Sequence, residues 1–425
     1  MDTTDSGPVP NAPTLREIEH AREVIREAIH VTPMLHSRTF SAMSGANVYL
    51  KPENLQRAGS FKVRGATYKI SRLSEEERRR GVIATSMGNH AQAVAIAAQA
   101  FGASATIVMP EQAPLVKVMA TQGYGARVVL HGATFDDASA HARGLQVATG
   151  ATFVHAFDDP DIIAGQGTLG LEILSQVPSV DALIVPVGGG GLISGIAIAA
   201  RALQPDMTII GVEAAGAASC RVSLDAGEIR TLPAITTIAD GIALKRPGEL
   251  TFPLIQQLVD EVVTVEDEET MSAILLLQER CKLQVEGAGA VGLAALLRPG
   301  LLNLAGKEVV VLLSGGNIDM NLLGGFIAQG LMMQGRIAIL RTWIADRPGE
   351  LKQLLTRIAE LNINVREMNY RPTMHSLPVQ QVEVTLSLEM RDHHHLEQLL
   401  AVLHEQGYAI TQVQGPLTGT GLQGG

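Results

Sequence analysis

The sequence predicts an α/β protein built on doubly wound parallel sheets in two lobes, with a ferredoxin-like βαββαβ unit at the C-terminal end. Three observations predict this. From about residue 14 to about residue 325, short β-branched-rich runs alternate with longer alanine-rich amphipathic stretches, the pattern of buried parallel strands under covering helices. Glycine is abundant, 43 of 425 residues, without a collagen-like period, which suits many tight strand-to-helix turns. After about residue 334 the order becomes strand, helix, strand, strand, helix, strand, that of a ferredoxin-like unit.

The elements follow in order. Residues 1–13 are acidic, polar and proline-rich and read as a disordered tail, without the basic start and apolar core of a signal peptide. Thr14 to Glu17 forms a capping box, and Ile18, Ala21, Ile25 and Ala28 follow at helical spacing. Strands buried on both faces are expected at 105–109, 127–130, 182–187, 208–212 and 309–313. The stretch 182–200 is 19 residues without a charge, long enough to span a bilayer. Pro186 and four consecutive glycines divide it, so it reads as strand, turn and helix. The part from 14 to 334 is expected to hold the chemistry, with a smaller lobe at about 46–155. In the unit at 335–415, a strand at 337–344 precedes Pro348, placed in the first turn of a helix whose face is Leu351, Leu354, Leu355 and Ile358. Val382, Val384, Leu386 and Leu388 alternate as a half-buried antiparallel strand. Leu396, Leu399, Leu400 and Leu403 form a second helical stripe, and 416–425 is a glycine-rich tail.

Charge excludes some partners. Lys+Arg 33 against Asp+Glu 43 gives −10, which argues against nucleic acid or an anionic membrane. Two cysteines, Cys220 and Cys281, exclude a disulfide framework and suit a reduced, cytoplasmic protein.

Four motifs could do chemistry. Gly188, Gly189, Gly190 and Gly191, followed by Leu192, form a turn between strand and helix. Such a turn can face backbone N–H groups toward a phosphate. No Lys-Ser/Thr follows, so it is not a P-loop. Gly189, Gly191 and Gly195 make a loosened dinucleotide fingerprint, with Glu213 near the distance of a ribose-binding acid. On this loop alone a nicotinamide-dependent oxidoreductase stays open. Lys62 lies among Ser60, Phe61 and Val63 at a loop-to-helix junction. It reads as a desolvated Schiff-base nucleophile or proton shuttle, or as a snorkelling surface lysine. Ser86-Met87-Gly88-Asn89-His90 opens a helix whose free donors can hold a carboxylate, with His90 itself a helix-start hydrogen-bonder. Ser314-Gly315-Gly316-Asn317 ends a strand, where a hydroxyl could meet a ring nitrogen or simply turn the chain.

Together, in this order, the four motifs resemble the pyridoxal-phosphate enzymes of the tryptophan-synthase β type, most nearly the threonine dehydratases that carry a C-terminal ACT regulatory domain. The resemblance covers about residues 14 to 415. It includes Thr237-Ile238-Ala239-Asp240-Gly241, Lys245-Arg246-Pro247-Gly248 and, in the ACT-like unit, Asp346-Arg347-Pro348-Gly349-Glu350-Leu351. It implies that Lys62 is the catalytic lysine linked to pyridoxal phosphate. It further implies that Gly188, Gly189, Gly190, Gly191 and Leu192 hold the phosphate, Asn89 the ring hydroxyl and Ser314 the pyridine nitrogen. Ser86, Met87, Gly88, Asn89 and His90 would form the substrate site. A serine partner leaves the ring a weaker electron sink than a carboxylate does, which suits β-elimination. The implied reaction converts L-threonine to 2-oxobutanoate and ammonia, and L-serine to pyruvate.

Two departures qualify the resemblance. Met87 stands where related serine racemases place a serine, and methionine has no transferable proton, so little racemisation is expected. Ser219 stands where cation-binding relatives have an acid, so no metal is expected. The ACT-like unit implies a homodimer or homotetramer and a branched-chain amino-acid effector near Gly349. The alternatives are another pyridoxal-phosphate elimination or replacement enzyme, the nicotinamide-dependent oxidoreductase, or a non-catalytic amino-acid sensor.

Overall fold

The computed structural model describes residue 7, residues 9–372 and residues 381–413, and the chain forms two compact units, Met1–Ile318 and Asp319–Gly425. The expected tail at 416–425 lies outside the described residues, as do residues 1–6 and 8. Residues 9–13, expected to be disordered, instead form a turn. Ala12 N–H donates to the Val9 carbonyl, and Pro13 is buried just ahead of the Thr14 cap.

Ten strands are described in the first unit. They are β1 (Leu35–His36), β2 (Asn47–Pro52), β3 (Val82–Thr85), β4 (Ala105–Met109), β5 (Arg127–Leu130), β6 (Thr152–Phe153), β7 (Ala182–Pro186), β8 (Thr208–Ala214), β9 (Glu261–Val265) and β10 (Glu308–Leu313). The larger sheet has the order β1-β2-β10-β7-β8-β9, parallel except for the β1–β2 pair. The smaller sheet, β5-β4-β3-β6, is wholly parallel. Every residue of β3 and β7 is buried, as expected for strands covered by helices on both faces.

Two expectations change here. The strand at 127–130 forms, but Arg127 and Leu130 are exposed, because β5 is an edge that pairs only with β4. The smaller lobe, expected from about 46, starts later, because β2 pairs with β10 in the larger sheet.

The predicted capping box is present. Thr14 N–H donates to Glu17 Oε2 at 2.7 Å and Glu17 N–H to Thr14 Oγ1 at 3.3 Å, while Ile18, Ala21 and Ile25 are fully buried behind it. The uncharged stretch from 182 resolves into β7 and the helix Gly191–Leu203. No helix among the described residues is long and apolar enough to cross a membrane.

The second unit opens with the helix Met320–Met333. Then come β11 (Ile337–Ala345), the helix Glu350–Glu360, β12 (Asn364–Pro372), β13 (Gln381–Glu389), the helix His393–Glu405 and β14 (Ile410–Val413). Its antiparallel sheet, β12-β13-β11-β14, has the ferredoxin-like order. Val382, Val384, Leu386 and Leu388 pack in one core with Leu354, Ile358, Leu396, Leu399 and Leu403. Two boundaries shift. Pro348 lies ahead of its helix, because Gly349 at φ +98° is the N-cap. The units part at Ile318 rather than at 334, because the Met333 carbonyl bonds His393 Nε2 at 2.7 Å and ties the helix Met320–Met333 to the second unit.

Candidate active site

Three turns of the first unit lie at the C-terminal ends of parallel strands, where open α/β sheets place ligands. β3 leads through Ser86, Met87 and Gly88 into the helix Asn89–Ala100. β7 leads through the tetraglycine turn into Gly191–Leu203, and β10 leads into Ser314 to Asn317. The glycine turn has a steric reason. A Cβ on Gly191 would stand 2.6 Å from the Phe157 carbonyl oxygen, one on Gly189 2.4 Å from the Phe157 ring, and Gly190 sits at φ +92°. Thr251 Oγ1 donates to the Gly189 carbonyl at 2.6 Å, as does Gly248 N–H at 3.3 Å, which gives the motif at 245–248 its structural work. The helix Gly191–Leu203 has no side-chain cap, so its first-turn N–H groups have no intrahelical acceptor and suit a phosphate.

Lys62 is the first residue of the helix Lys62–Ser71, and its Nζ donates to the Ala156 carbonyl at 2.9 Å. Ala156 precedes Phe157, so one short segment touches both the lysine and the glycine turn. The turn after β10 closes on Lys62 from another side. Ser60 bridges Gly315, Phe61 N–H donates to the Ser314 carbonyl at 3.1 Å, and Gly316 N–H donates to the Gly59 carbonyl at 2.9 Å. Asn317 Nδ2 donates to the Ala58 carbonyl at 2.6 Å and to Asn89 Oδ1 at 2.7 Å. All four motifs therefore meet. Ser314 is buried, with Oγ 3.4 Å from the Ala288 carbonyl.

Electrostatics single out two groups. Burial pulls the Lys62 ammonium down to about 8, with the Glu286 carboxylate acting the other way. Burial, helped by Asp240, pushes Glu286 up to about 7 against the Asn89 hydrogen bond, Lys117 and Lys62. Sequence reasoning missed Glu286, whose Oε1 accepts from Asn89 Nδ2 at 2.7 Å. Its one sequence signal is an acid immediately before a helix, Gly287–Leu297, that carries no charge.

His90 is placed differently from a residue whose side chain meets a substrate. Its ring is buried with Nε2 2.9 Å from the Val154 carbonyl, and burial, then the Lys62 charge, lowers it to about 3. The ring is thus a neutral donor to Val154, and His90 can offer a substrate only its helix-start N–H. Gly88, the N-cap, supplies no side chain to occupy those donors. Ser86 Oγ accepts from Gly88 N–H at 3.2 Å, and Met87 packs half-buried against the smaller lobe's core.

Glu213 does not sit as a ribose-binding acid would. Its buried carboxylate accepts from Cys220 N–H at 2.8 Å and Arg221 N–H at 2.7 Å.

The residues from 25 to 315 match the family model described as "Pyridoxal-phosphate dependent enzyme". The chain belongs to the pyridoxal-phosphate-dependent enzymes. It is 47% identical over 397 residues to an L-threonine ammonia-lyase of Thermotoga maritima, covering 93% of this chain and 98% of that protein. In structure it resembles a threonine deaminase of T.th., with TM-score 0.69 and 43% identity over 72% of this chain and 99% of that one. It also resembles maize serine racemase, with TM-score 0.72 and 38% identity over 76% and 99%. The chain is a lyase, its cofactor is pyridoxal phosphate, and the nicotinamide reading is overturned.

The residues present fit this cofactor. The uncapped glycine turn suits its phosphate, and an amine of lowered basicity lies beside that turn. Two residues before Lys62, the buried Ser60 hydroxyl has no hydrogen-bond partner among the described residues.

Proposed function

We propose that this lyase is a threonine ammonia-lyase, which eliminates the β-hydroxyl of L-threonine to give 2-oxobutanoate and ammonia, and likewise L-serine to give pyruvate. The observation that carries this is Lys62, a lysine with one acceptor among the described residues and a pKa lowered to about 8 beside an uncapped, glycine-lined helix start. The similarity to the Thermotoga maritima L-threonine ammonia-lyase over 93% of the chain supports the substrate.

Pyridoxal phosphate supplies an aldehyde carbon for an amine and an electron-withdrawing pyridine ring. The chain's own residues do the rest. The N–H groups of Gly188, Gly189, Gly190, Gly191 and Leu192 hold the phosphate by the helix-start dipole. Ser314 meets the pyridine nitrogen with a hydroxyl rather than a carboxylate, and Asn89 bonds the ring hydroxyl. Lys62 would hold the cofactor, and its Nζ as a neutral amine would take the substrate Cα proton as general base, a task that suits an amine titrating near neutrality. Ser86, Gly88, Asn89 and His90 orient the substrate carboxylate through helix-start donors, and Met87 shapes the pocket.

The likeness to maize serine racemase raises a second reading. Racemisation needs a proton donor on the face opposite Lys62, and the Met87 thioether has none to give. Elimination therefore dominates.

The second unit is proposed as an ACT-type regulatory domain that takes a branched-chain amino acid near Gly349, in a homodimer or homotetramer. Gly349 adopts φ +98° with open space about its Cα.

The test is steady-state release of ammonia and 2-oxo acid from L-threonine and L-serine, with and without isoleucine, with D-serine measured in parallel. Turnover of both substrates, a kinetic response to isoleucine and D-serine formation far below pyruvate formation are expected. D-serine appearing at a rate near that of pyruvate would sink the reading that elimination dominates because Met87 has no proton to give.

A further inference from the structure

Glu286 occupies the N-cap position of the helix Gly287–Leu297, where an acid normally turns back to accept from first-turn N–H groups. It makes no side-chain cap. Its side chain is buried, and its Oε1 accepts from Asn89 Nδ2 at 2.7 Å, on a helix of the smaller lobe. The surrounding backbone makes room for this. A Cβ on Gly315 would come within 2.4 Å of Glu286 Oε1, and one on Gly241 within 3.3 Å. Glu286 N–H also donates to the Gly315 carbonyl at 3.1 Å.

The second amide atom of Asn89 is used as well. Oδ1 accepts from Asn317 Nδ2 at 2.7 Å, and that nitrogen also donates to the Ala58 carbonyl at 2.6 Å. The relay therefore has a direction, from Asn317 to Asn89 to Glu286. The Ala58 carbonyl holds the Asn317 nitrogen toward Asn89, so Asn89 turns its oxygen to Asn317 and its nitrogen to Glu286, which when ionised accepts only. One N–H of Nδ2 is left over.

We propose that Glu286 is a positioning residue for the cofactor site: it fixes the Asn89 amide so that the remaining Nδ2–H, rather than the amide oxygen, faces the cofactor's ring hydroxyl. This rests on the proposed role of Asn89 above. A donor at that point favours the ionised ring oxygen, and an acceptor favours the protonated one. Lys62, Lys117 and Asp240 bear on the same carboxylate, but none of them fixes an amide.

The test reads the absorption bands of the cofactor-loaded protein across pH, together with the cofactor dissociation constant. It compares the wild type with Glu286→Gln, Glu286→Asp, Asn317→Ala and Asn89→Ala. Glu286→Gln keeps an oxygen that can accept from Asn89 and is expected to keep the affinity and to hold the band ratio closer to the wild type's than Glu286→Asp does. Glu286→Asp withdraws the acceptor by one methylene and keeps the charge. It is expected to shift the ratio of the long- to the short-wavelength band as Asn89→Ala does, and to weaken cofactor binding about tenfold. Asn317→Ala frees the opposite end of the amide and should move the spectrum the same way, which keeps the test decisive should Glu286→Asp not fold. If Asn89→Ala shifts the spectrum while Glu286→Asp and Asn317→Ala leave it unchanged, the positioning role is overturned and the reading of Asn89 stands. If Asn89→Ala is silent too, the assignment of Asn89 fails and takes the relay with it. A wild type that takes up no cofactor overturns the proposed function itself.

Discussion

Lys51 and Lys62 stand eleven residues apart in opposite surroundings. Lys51, fully buried on β2, donates to Glu172 Oε1 at 2.5 Å, to the Thr32 carbonyl at 2.7 Å and to Gln176 Oε1 at 2.8 Å. All three of its donors are used. Arg64 extends the network, reaching Glu53 at 2.8 Å and Glu172 at 2.9 Å, and Thr32 Oγ1 donates to Glu53 at 2.7 Å. Lys62 has a single hydrogen-bond acceptor among the described residues, the Ala156 carbonyl. Burial is the leading cause of a lowered pKa at both lysines. A lowered pKa therefore does not by itself distinguish a lysine that holds structure from one free to react; the unused donors do. The helix Lys62–Ser71 joins the two regions, since Arg64 anchors it one half-turn beyond Lys62.

Breaking each region separately should separate chemistry from stability. Lys62→Ala should lower ammonia release from L-threonine by about 10³-fold and abolish the visible band of the bound cofactor, with little change in the thermal midpoint of the apo protein. Arg64→Ala should do the reverse. It leaves Glu53 buried without its guanidinium, a loss of about 3–5 kcal/mol in denaturant unfolding, while the folded fraction keeps its visible band. An Arg64→Ala protein as stable as the wild type would dissolve the comparison, because the network would then hold nothing together.

This contrast also marks what was legible in the sequence. β4 and β5 fall where the β-branched runs placed them, since a buried strand is a local pattern. That β5 is a half-exposed edge was not legible, because strand order is set by partners and not by the strand itself. Nor was the transfer of β2 to the larger sheet, which depends on pairing with β10 some 260 residues later. The site divides in the same way. Lys62, the glycines, Asn89 and Ser314 stand in short motifs at strand ends or helix starts. Glu286 matters only through Asn89, 197 residues away, and the Lys51–Glu53–Arg64–Glu172 network has no contiguous signature at all. His90 was legible as a helix-start residue, but the direction of its ring depends on Val154 across the lobe.

The smallest expected effect sharpens the comparison most, because it reads Lys62 directly. A lysine joins the cofactor's aldehyde only as a neutral amine, since the ammonium has no lone pair. With its pKa lowered from 10.5 to about 8, about one Lys62 in ten is neutral at pH 7, against about one in 3,000 for an ordinary lysine. The rate at which apo protein gains its visible band should therefore rise with pH and level off above a midpoint near 8. Glu286→Gln removes the carboxylate that favours the ammonium, so its midpoint should fall below that of the wild type. Lys51→Met should leave the midpoint where it is, since Lys51 faces Glu172 and Thr32 and acts on neither Lys62 nor its acceptor. Stopped-flow absorbance from pH 6 to 10 measures all three, and a wild-type midpoint near 10 would show that Lys62 is an ordinary solvated lysine.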